Sequence, residues 1–436
     1  MSGTGSAQDE RCSHDAPRPL LRQAGLGPGG WGGGPLLYTT AMPSWRVLIP
    51  LTLLLCSGVA LASVLRSAPT RSGPAALPAV PTLPRDTAIL SYPRLLPVSL
   101  NTDATPLLVS NSPETPQTSG LLYRDTVRGA ARVTAYHVNG LEQPARLLIV
   151  AERAGDGVVS GSVAGGSTPD PGANLTLLRR GSALTPGPDP LIGQQTLLRY
   201  FSSGPNSAAS PVGRLPRPIP AGTPLTLYDS GFMSPGEVVS VLIDLHTDAA
   251  VKISTYMLTA GERPGPDVPT LAPDGLHQRG TFTGANRDWS VSLPPPGAQP
   301  QPGKQPAGPT PTPLRLMFSD ASDPPLTGTD ALTGRPQLLR GNFGVLYGVS
   351  LQGAAGFLMA ASARGGAYRG TLLMRDQARA VPLLIGRDRA LLDGALPAAV
   401  WQLRSDAAHF EFMPANGSNL PLALVFYPDG VRRPLR

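Results

Sequence analysis

Apolar residues in this 436-residue chain recur in short alternating runs, and Gly, Pro or Asp residues separate the runs. Such alternation is typical of half-buried β-strands, because successive side chains of a strand point to opposite faces. Turn signals at Asp156-Gly157 and Gly365-Gly366 predict two hairpins. The pattern predicts strands over 132–138, 174–179, 225–229, 237–247, 250–259, 279–283 and 288–293, and over 314–318, 343–351, 356–363, 367–375, 380–385, 398–403, 408–413 and 421–427.

One segment carries helix signals instead. Asp189 is placed to cap a helix, Pro190 suits its first turn and Gly204 can end it. The spacing predicts a helix over 190–203 with an apolar face of Leu191, Leu198 and Phe201. The chain is therefore expected to be all-β with one short helix.

Proline divides the chain into segments. Residues 294–313 hold nine Pro and three Gly and no aliphatic residue larger than Ala, so no packed element is expected there. We predict a disordered or start-site extension (1–41), a signal peptide or signal anchor (42–66), a Pro-rich stalk (67–106), a first β-sandwich domain (107–293), a Pro/Gly-rich linker (294–313) and a second β-sandwich domain (314–436).

The two predicted sandwiches share a weak internal repeat. Arg128-Gly129 is followed by Tyr136-His137-Val138, and Arg340-Gly341 by Tyr347-Gly348-Val349. A hairpin signal follows each pair of motifs. The repeat predicts two related antiparallel β-sandwiches.

An apolar segment near the amino terminus predicts export. Arg46 precedes an apolar stretch over 47–59, and Ala60-Leu61-Ala62 fits a small-x-small cleavage site. The alternative is an uncleaved anchor, because residues 47–65 are just long enough to span a bilayer. Either reading places the folded part in the periplasm, on the cell surface or outside the cell.

Composition excludes several functions. Only two of the 36 basic residues are lysine, and the arginines are scattered, an Arg bias that a GC-rich genome produces. Nucleic-acid binding requires basic clusters, so no nucleic-acid partner is expected despite the net charge of +7. Both cysteines, Cys12 and Cys56, precede the predicted mature chain, which therefore has no disulfide or Cys nucleophile. No cofactor motif is present.

One strand carries a candidate metal site. Asp244, His246 and Asp248 share one face of a predicted strand whose other face is apolar. Carboxylate and imidazole groups are common metal ligands, so the three could bind a divalent ion. The alternative is the solvated end of a half-buried strand.

Trp289 and Trp401 are the candidate ligand-binding residues. Each lies in a strand pattern and could stack on a sugar ring, although a Trp in a sandwich core is the commoner use. With no catalytic motif, enzymatic activity stays open and is not favoured. The leading hypothesis is a structural or binding role in the cell envelope, with an envelope polysaccharide or protein as partner and the membrane as a further partner if the anchor is uncleaved. The alternative is a carbohydrate-binding module or a polysaccharide-acting enzyme.

Four short motifs carry a resemblance: 136–140 (Tyr-His-Val-Asn-Gly), 277–282 (His-Gln-Arg-Gly-Thr-Phe), 340–344 (Arg-Gly-Asn-Phe-Gly) and 417–421 (Gly-Ser-Asn-Leu-Pro). Through them residues 120–436 resemble a group of uncharacterised exported bacterial β-sandwich proteins. Some of that group are labelled through a neighbouring module similar to the copper amine oxidase N-terminal domain. The resemblance implies a class and a location only. The oxidase itself is not implied, because the chain has neither its His-x-His copper ligands nor its Asn-Tyr-Asp/Glu cofactor site.

If 60–62 is a cleavage site, we expect the mature protein to begin at Ser63. N-terminal sequencing of protein purified from its native host checks this. An intact 47–65 segment recovered in the membrane fraction would show the anchored alternative instead.

Overall fold

The fold is almost entirely β-sheet in the computed structural model, which describes residues 89–154, 172–203, 216–294, 312–376, 379–394 and 397–428. Strands account for 54% of it and helices for 6%, which confirms the all-β class. The predicted segments 1–41 and 42–66, and the Asp156-Gly157 turn, lie outside the described residues. So do most of the predicted stalk and linker.

The elements follow one another in a single order along the chain. They are β1 (Ser99–Thr102), β2 (Pro106–Ser110), β3 (Gly120–Val138), β4 (Ala145–Arg153), β5 (Ala173–Thr185), α1 (Leu191–Ser202), β6 (Arg217–Ile219), β7 (Leu225–Asp229), β8 (Val238–Thr259), β9 (Arg279–Thr283), β10 (Asn286–Ser292), β11 (Leu314–Phe318), β12 (Leu326–Asp330), β13 (Arg335–Leu339), β14 (Leu346–Gln352), β15 (Phe357–Ala363), β16 (Gly370–Asp376), β17 (Arg379–Ile385), β18 (Ala398–Leu403), β19 (Ala408–Phe412) and β20 (Leu422–Pro428).

Two sheets pack face to face around the main core. One has the strand order β1-β10-β14-β19-β16-β17, and the other β11-β20-β15-β18. Alternate residues of both fill the core, where Trp289, Phe318, Tyr347 and Phe412 form a contiguous aromatic group. Face-to-face packing of this kind defines a sandwich.

A third sheet of ten strands surrounds a second core. Its main order is β13-β12-β9-β2-β3-β8-β4-β7, and β5 and β6 join through β8. The second core lies among β3, β4, β5, β7 and β8, so this sheet bends over itself. A bulge between Val127 and Gly129 allows part of the bend, and Gly129 has φ +79°, a conformation that favours glycine.

The sheets do not divide at the predicted linker. β10 pairs with β14, and β9 pairs with β12, so strands from both sides of 294–313 lie side by side. All described residues belong to one compact unit, 76–436. Two of the pairings, β2 with β3 and β10 with β14, are also parallel, so the sheets are mixed. Strand pairing thus joins the two predicted sandwiches.

Several details differ from the sequence prediction. β8 is one strand of 22 residues where two were predicted, and β1, β2, β6, β12 and β13 were not predicted. The hairpin at Gly365-Gly366 is wrong, because β15 and β16 belong to different sheets. The chain crosses between sheets there. A Cβ on Gly365 would lie 1.9 Å from the Leu420 carbonyl oxygen, so the crossing needs glycine.

Helix α1 joins the sheets. The Asp189 carboxylate accepts a hydrogen bond from the Leu191 amide at 2.7 Å, as predicted for a cap. The predicted apolar face is wrong in part: the buried residues are Ile192, Gly193, Gln194, Thr196, Leu197, Tyr200 and Phe201. Polar residues belong to this face because α1 packs against strands of two sheets and forms hydrogen bonds with backbone groups at the strand ends. The Gln194 side chain donates to the carbonyls of Gly370 and Ile385.

Within the described ranges, no helix is both long and apolar enough to cross a membrane.

The shared sheets predict the outcome of limited proteolysis. A protease specific for lysine has two sites in the chain, and Lys252 is in a central strand with its ammonium 3.2 Å from Glu152. We expect early cutting after Lys304 in the Pro-rich segment. The two fragments should co-elute from a native sizing column and separate only in denaturant.

Separation of the fragments without denaturant would contradict this expectation. It would show instead that 107–293 and 314–436 fold as independent domains.

Candidate functional site

The predicted metal ligand Asp244 is an ion-pair partner in the structure. Arg132 on β3 lies directly opposite Asp244 on β8, and its Nε donates to the carboxylate at 2.6 Å. The Tyr200 hydroxyl of α1 donates to the same carboxylate at 2.6 Å. Both carboxylate oxygens of Asp244 are therefore occupied by protein donors.

Arg132 is the most highly connected polar residue of this network. Its side chain is 3% exposed, and its Nη1 donates to the carbonyls of Ala285 at 2.6 Å and Gly344 at 3.1 Å. Burial alone lowers the pKa of the guanidinium, but Asp244 and Tyr200 more than offset this and the pKa is raised. Arg132 thus stays charged and holds five chain segments together.

The other two predicted metal ligands do not converge with Asp244. His246 and Asp248 alternate with buried residues as the strand pattern predicts, and both are exposed. Asp248 accepts hydrogen bonds from the backbone amide and the side chain of Asn174 at 2.7 and 2.8 Å. No group of three His, Cys, Asp or Glu side chains in the described ranges could hold a metal ion. The geometry fits the solvated strand end.

Trp289 lies in the main core. It is 3% exposed and stacks on Phe318 with ring centroids 5.1 Å apart and an interplanar angle of 4°. Tyr347 packs edge-on against it at 4.9 Å. A ring enclosed in this way cannot reach a ligand, so the predicted ligand-binding role of Trp289 is wrong.

Trp401 lies at the open edge of the sandwich. It pairs with the buried Met359 of β15, and it faces the core as Met359 does. β18 is the edge strand of its sheet, so among the described strands none pairs with its outer side, and Trp401 is half-buried. It lines a cavity of about 330 Å³. The cavity is bounded by residues 401–405 and by Met374, Arg375, Ala407 and Ala408.

This cavity lies where the two sandwich sheets separate. β18 belongs to the four-stranded sheet, whereas Arg375 of β16 and Ala408 of β19 belong to the six-stranded sheet. Residues 404–407 form the connection between them. The volume of the cavity lies at the lower end of the range for ligand pockets, roughly 300–1,000 Å³. Aromatic and polar side chains meet in it, which is the usual make-up of such pockets.

A charged group lies next to the cavity, on the face of β16 and β19 opposite Met374 and Phe410. Glu411 of β19 accepts hydrogen bonds from the Nε of Arg375 at 2.8 Å and from the Nη1 of Arg179 at 3.0 Å. Burial raises the pKa of Glu411, but the two arginines outweigh this and the pKa is lowered. The carboxylate is therefore ionised and fixes Arg375 in place.

An exposed Ser–His pair lies on the neighbouring sheet face. Ser350 of β14 and His409 of β19 are directly opposite, with Oγ and Nδ1 3.1 Å apart. Burial lowers the pKa of His409, which favours the neutral ring. A serine nucleophile also needs donors aimed at a developing oxyanion. β14 is paired on both sides, by β10 and β19, so its backbone amides are engaged in the sheet. Among the described residues, the amides of β14 therefore offer no free donor beside Ser350.

Sequence reasoning named Trp401 as a candidate but singled out neither Arg375 nor Arg404, which line the same cavity. Arg375 and Arg179 belong to strands far apart in the sequence, and no short motif contains them. The scattered arginines carried no local signal by which these residues could have been selected.

No protein-family model and no curated protein matches this chain. The resemblance to exported bacterial β-sandwich proteins stays a prediction.

The buried ion pair predicts a large stability loss on truncation. Asp244→Ala leaves the Arg132 guanidinium buried without its carboxylate, and breaking such a pair costs about 3–5 kcal/mol. The exposed His246→Ala is the control on the same strand face, with an expected change within about 0.5 kcal/mol. Denaturant unfolding of both variants measures the difference.

Equal unfolding free energies for the two variants would contradict a structural role of Asp244. In that case Asp244 would contribute no more to stability than the exposed His246, as expected if both were ligands of one solvated site.

Proposed function

We propose that the protein is an exported carbohydrate-binding protein of the cell envelope and that the Trp401 cavity is its binding site. The single observation that carries this proposal is a half-buried tryptophan lining a cavity, with hydrogen-bonding side chains beside it. Sugar rings have an apolar face and a rim of hydroxyl groups. An indole ring packs against the apolar face, and polar side chains form hydrogen bonds with the hydroxyl groups.

The cavity favours binding over hydrolysis. Glycosidases need two carboxyl groups on either side of the scissile bond. The nine residues that line the cavity include no Asp, Glu or His. Asp244, a candidate metal ligand in the sequence, is engaged with Arg132 and Tyr200. These observations support a binding module over a polysaccharide-acting enzyme.

Export rests on the amino-terminal segment. An apolar stretch behind Arg46 and the small-residue pattern at 60–62 support delivery across a membrane. Envelope polysaccharides are the sugar polymers found at that destination. A cavity of about 330 Å³ suits one ring of such a chain at a time.

Saccharide titration tests the proposal. The full-length protein is titrated by calorimetry with neutral and acidic oligosaccharides, and Trp401→Ala should weaken every observed affinity by about tenfold or more, as the loss of a central aromatic contact does. Phe232→Ala is the matched control, because Phe232 is an aromatic residue that is 54% exposed and does not line the cavity. Its affinities should not change.

The absence of binding to every oligosaccharide, or equal affinities for wild type and Trp401→Ala, would overturn the proposed function.

A further inference from the structure

We propose that the protein forms a two-fold dimer in which β1 pairs antiparallel with β1 of a second copy. The proposal starts from exposed apolar side chains at this edge of the sandwich. Four of the ten large hydrophobic side chains that are exposed among the described residues lie within eleven residues of the chain: Leu90 (52%), Leu96 (61%), Val98 (75%) and Leu100 (52%). These four residues form the β1 patch. Clustered apolar exposure marks interaction sites, whereas single exposed apolar residues are normal.

The segment 93–102 crosses from one sandwich sheet to the other and carries most of the β1 patch. The Leu95 amide donates to the Arg315 carbonyl of β11 at 2.7 Å, and the Val98 amide donates to the Ser290 carbonyl of β10 at 2.7 Å. β11 is the last strand of the four-stranded sheet, and β1 is the last strand of the six-stranded sheet. The segment therefore lies along the edges of both sheets.

The backbone of β1 has unpaired groups on its outer side. The Asp103 amide donates to the Asn286 carbonyl at 3.1 Å, so the odd-numbered residues from Ser99 onward bond to β10 in this antiparallel ladder. The amide and carbonyl groups of Leu100 and Thr102 therefore point away from β10. In the described part of the chain, β1 has no other partner strand. Such groups are a template for a further strand, so the surface fits a β-strand as its partner.

β1 also lacks the residues that usually protect a sheet edge. Proline and charged side chains prevent edge-to-edge pairing. The edge strands β6, β13 and β17 each contain arginine and proline, whereas Ser99–Thr102 contains neither. The only charged residue of 90–102 is Arg94, and it pairs with Asp320. A surface without net charge can meet an identical surface without repulsion.

A second copy fits this edge better than the upstream part of the same chain. Between Pro69 and Pro84 the longest run without proline is 70–73, and proline interrupts the hydrogen bonds of a sheet. A two-fold axis, in contrast, places the same apolar patch and the same unpaired backbone groups opposite each other. The described chain also begins at Ile89, next to the patch. Two copies anchored in one membrane through 47–65 would therefore have their β1 edges at a raised local concentration.

The two-fold axis passes near Leu100, the apolar residue among those with outward backbone groups. Leu100 then pairs with Leu100 of the second copy, and Val98 pairs with Thr102. Leu100 is directly opposite the core-facing Trp289, so this pairing covers the open edge of the main core. The two six-stranded sheets become one continuous sheet.

The dimer leaves the Trp401 cavity of each copy free. β17 and β18 lie at the opposite ends of their sheets from β1 and β11. If the proposed function holds, one dimer therefore presents two sugar sites to the same polysaccharide, and the two sites bind it with greater avidity than one.

Light scattering on a sizing column tests the dimer, with the full-length chain in a non-ionic detergent. The protein mass should be twice that of one chain at about 50 μM, because specific interfaces have Kd values of about 1 μM or lower. Leu100→Lys should raise the Kd at least about a hundredfold, because each copy loses a buried leucine and the two ammonium groups repel each other. If this variant fails to fold, Val98→Lys decides, because Val98 is 75% exposed. Leu392→Lys is the control, since Leu392 is 59% exposed in the connection before β18.

Cysteine cross-linking tests the strand pairing. Cys12 and Cys56 are first replaced by serine, so that Leu100→Cys introduces the one thiol of the chain. Directly opposite residues of a hydrogen-bonded antiparallel pair have Cα atoms about 5.5 Å apart, within the range of about 4.4–6.8 Å that a disulfide spans. Oxidation should therefore give a covalent dimer. Leu392→Cys in the same background should stay monomeric in denaturing electrophoresis.

Several outcomes would overturn the β1 dimer. A monomeric wild type would do so, including one that binds lipid vesicles through the β1 patch. So would a dimer that persists in Leu100→Lys, or one that Leu392→Lys disrupts equally. Failure of Leu100→Cys to cross-link would overturn the pairing of β1 with β1. No saccharide enters these measurements, so their outcome is independent of the proposed function.

Discussion

The burial of the Arg132 guanidinium is the constraint on which the arrangement of the sheets depends. An unpaired charge is too costly to bury, so each N–H group of a buried arginine must meet an acceptor. Arg132 meets this requirement with Asp244 from β8, Asn286 from β10 and the carbonyl groups of Ala285 and Gly344. These acceptors come from segments on both sides of the Pro-rich linker. Their positions relative to β3 are thereby fixed together.

The same solution occurs elsewhere in the molecule. Arg279 pairs with Asp330 at 3.1 Å, and Arg287 pairs with Asp323, whose carboxylate also accepts a hydrogen bond from Tyr347 at 2.6 Å. Each pair joins a strand before the linker to a residue after it, and all four side chains are nearly inaccessible to solvent. The arginine content thus has a structural use beyond the base composition of a genome. Such pairs specify which segments meet, because removing one partner leaves the other as a buried charge without a counterion.

The cavity follows from how the sandwich ends. Two sheets that share a core must separate at an edge, and a core-facing residue on an edge strand has no neighbour on one side. Trp401 occupies that position, and the connection 404–407 closes the opening only in part. The fixed orientation of Arg375 depends on Glu411, which in turn is held by Arg179. A chain of charged contacts therefore runs from the Arg179 guanidinium, which lies over the ring of Tyr200, through Glu411 to Arg375.

The sequence by itself determined the β class, most strands, and the capped helix, because alternation and capping are local properties that nearest neighbours decide. It also singled out Trp401 as an aromatic residue in a strand. It misjudged Trp289, since both tryptophans have the same local pattern and only the position of β10 inside the sheet encloses one of them. Only the tertiary structure decided that β8 is a single strand, that Asp244 belongs to an ion pair, and that residues of two sheets line the cavity at Trp401. Those facts depend on pairings between residues far apart in the chain. The sequence around each residue does not show which distant residue it pairs with.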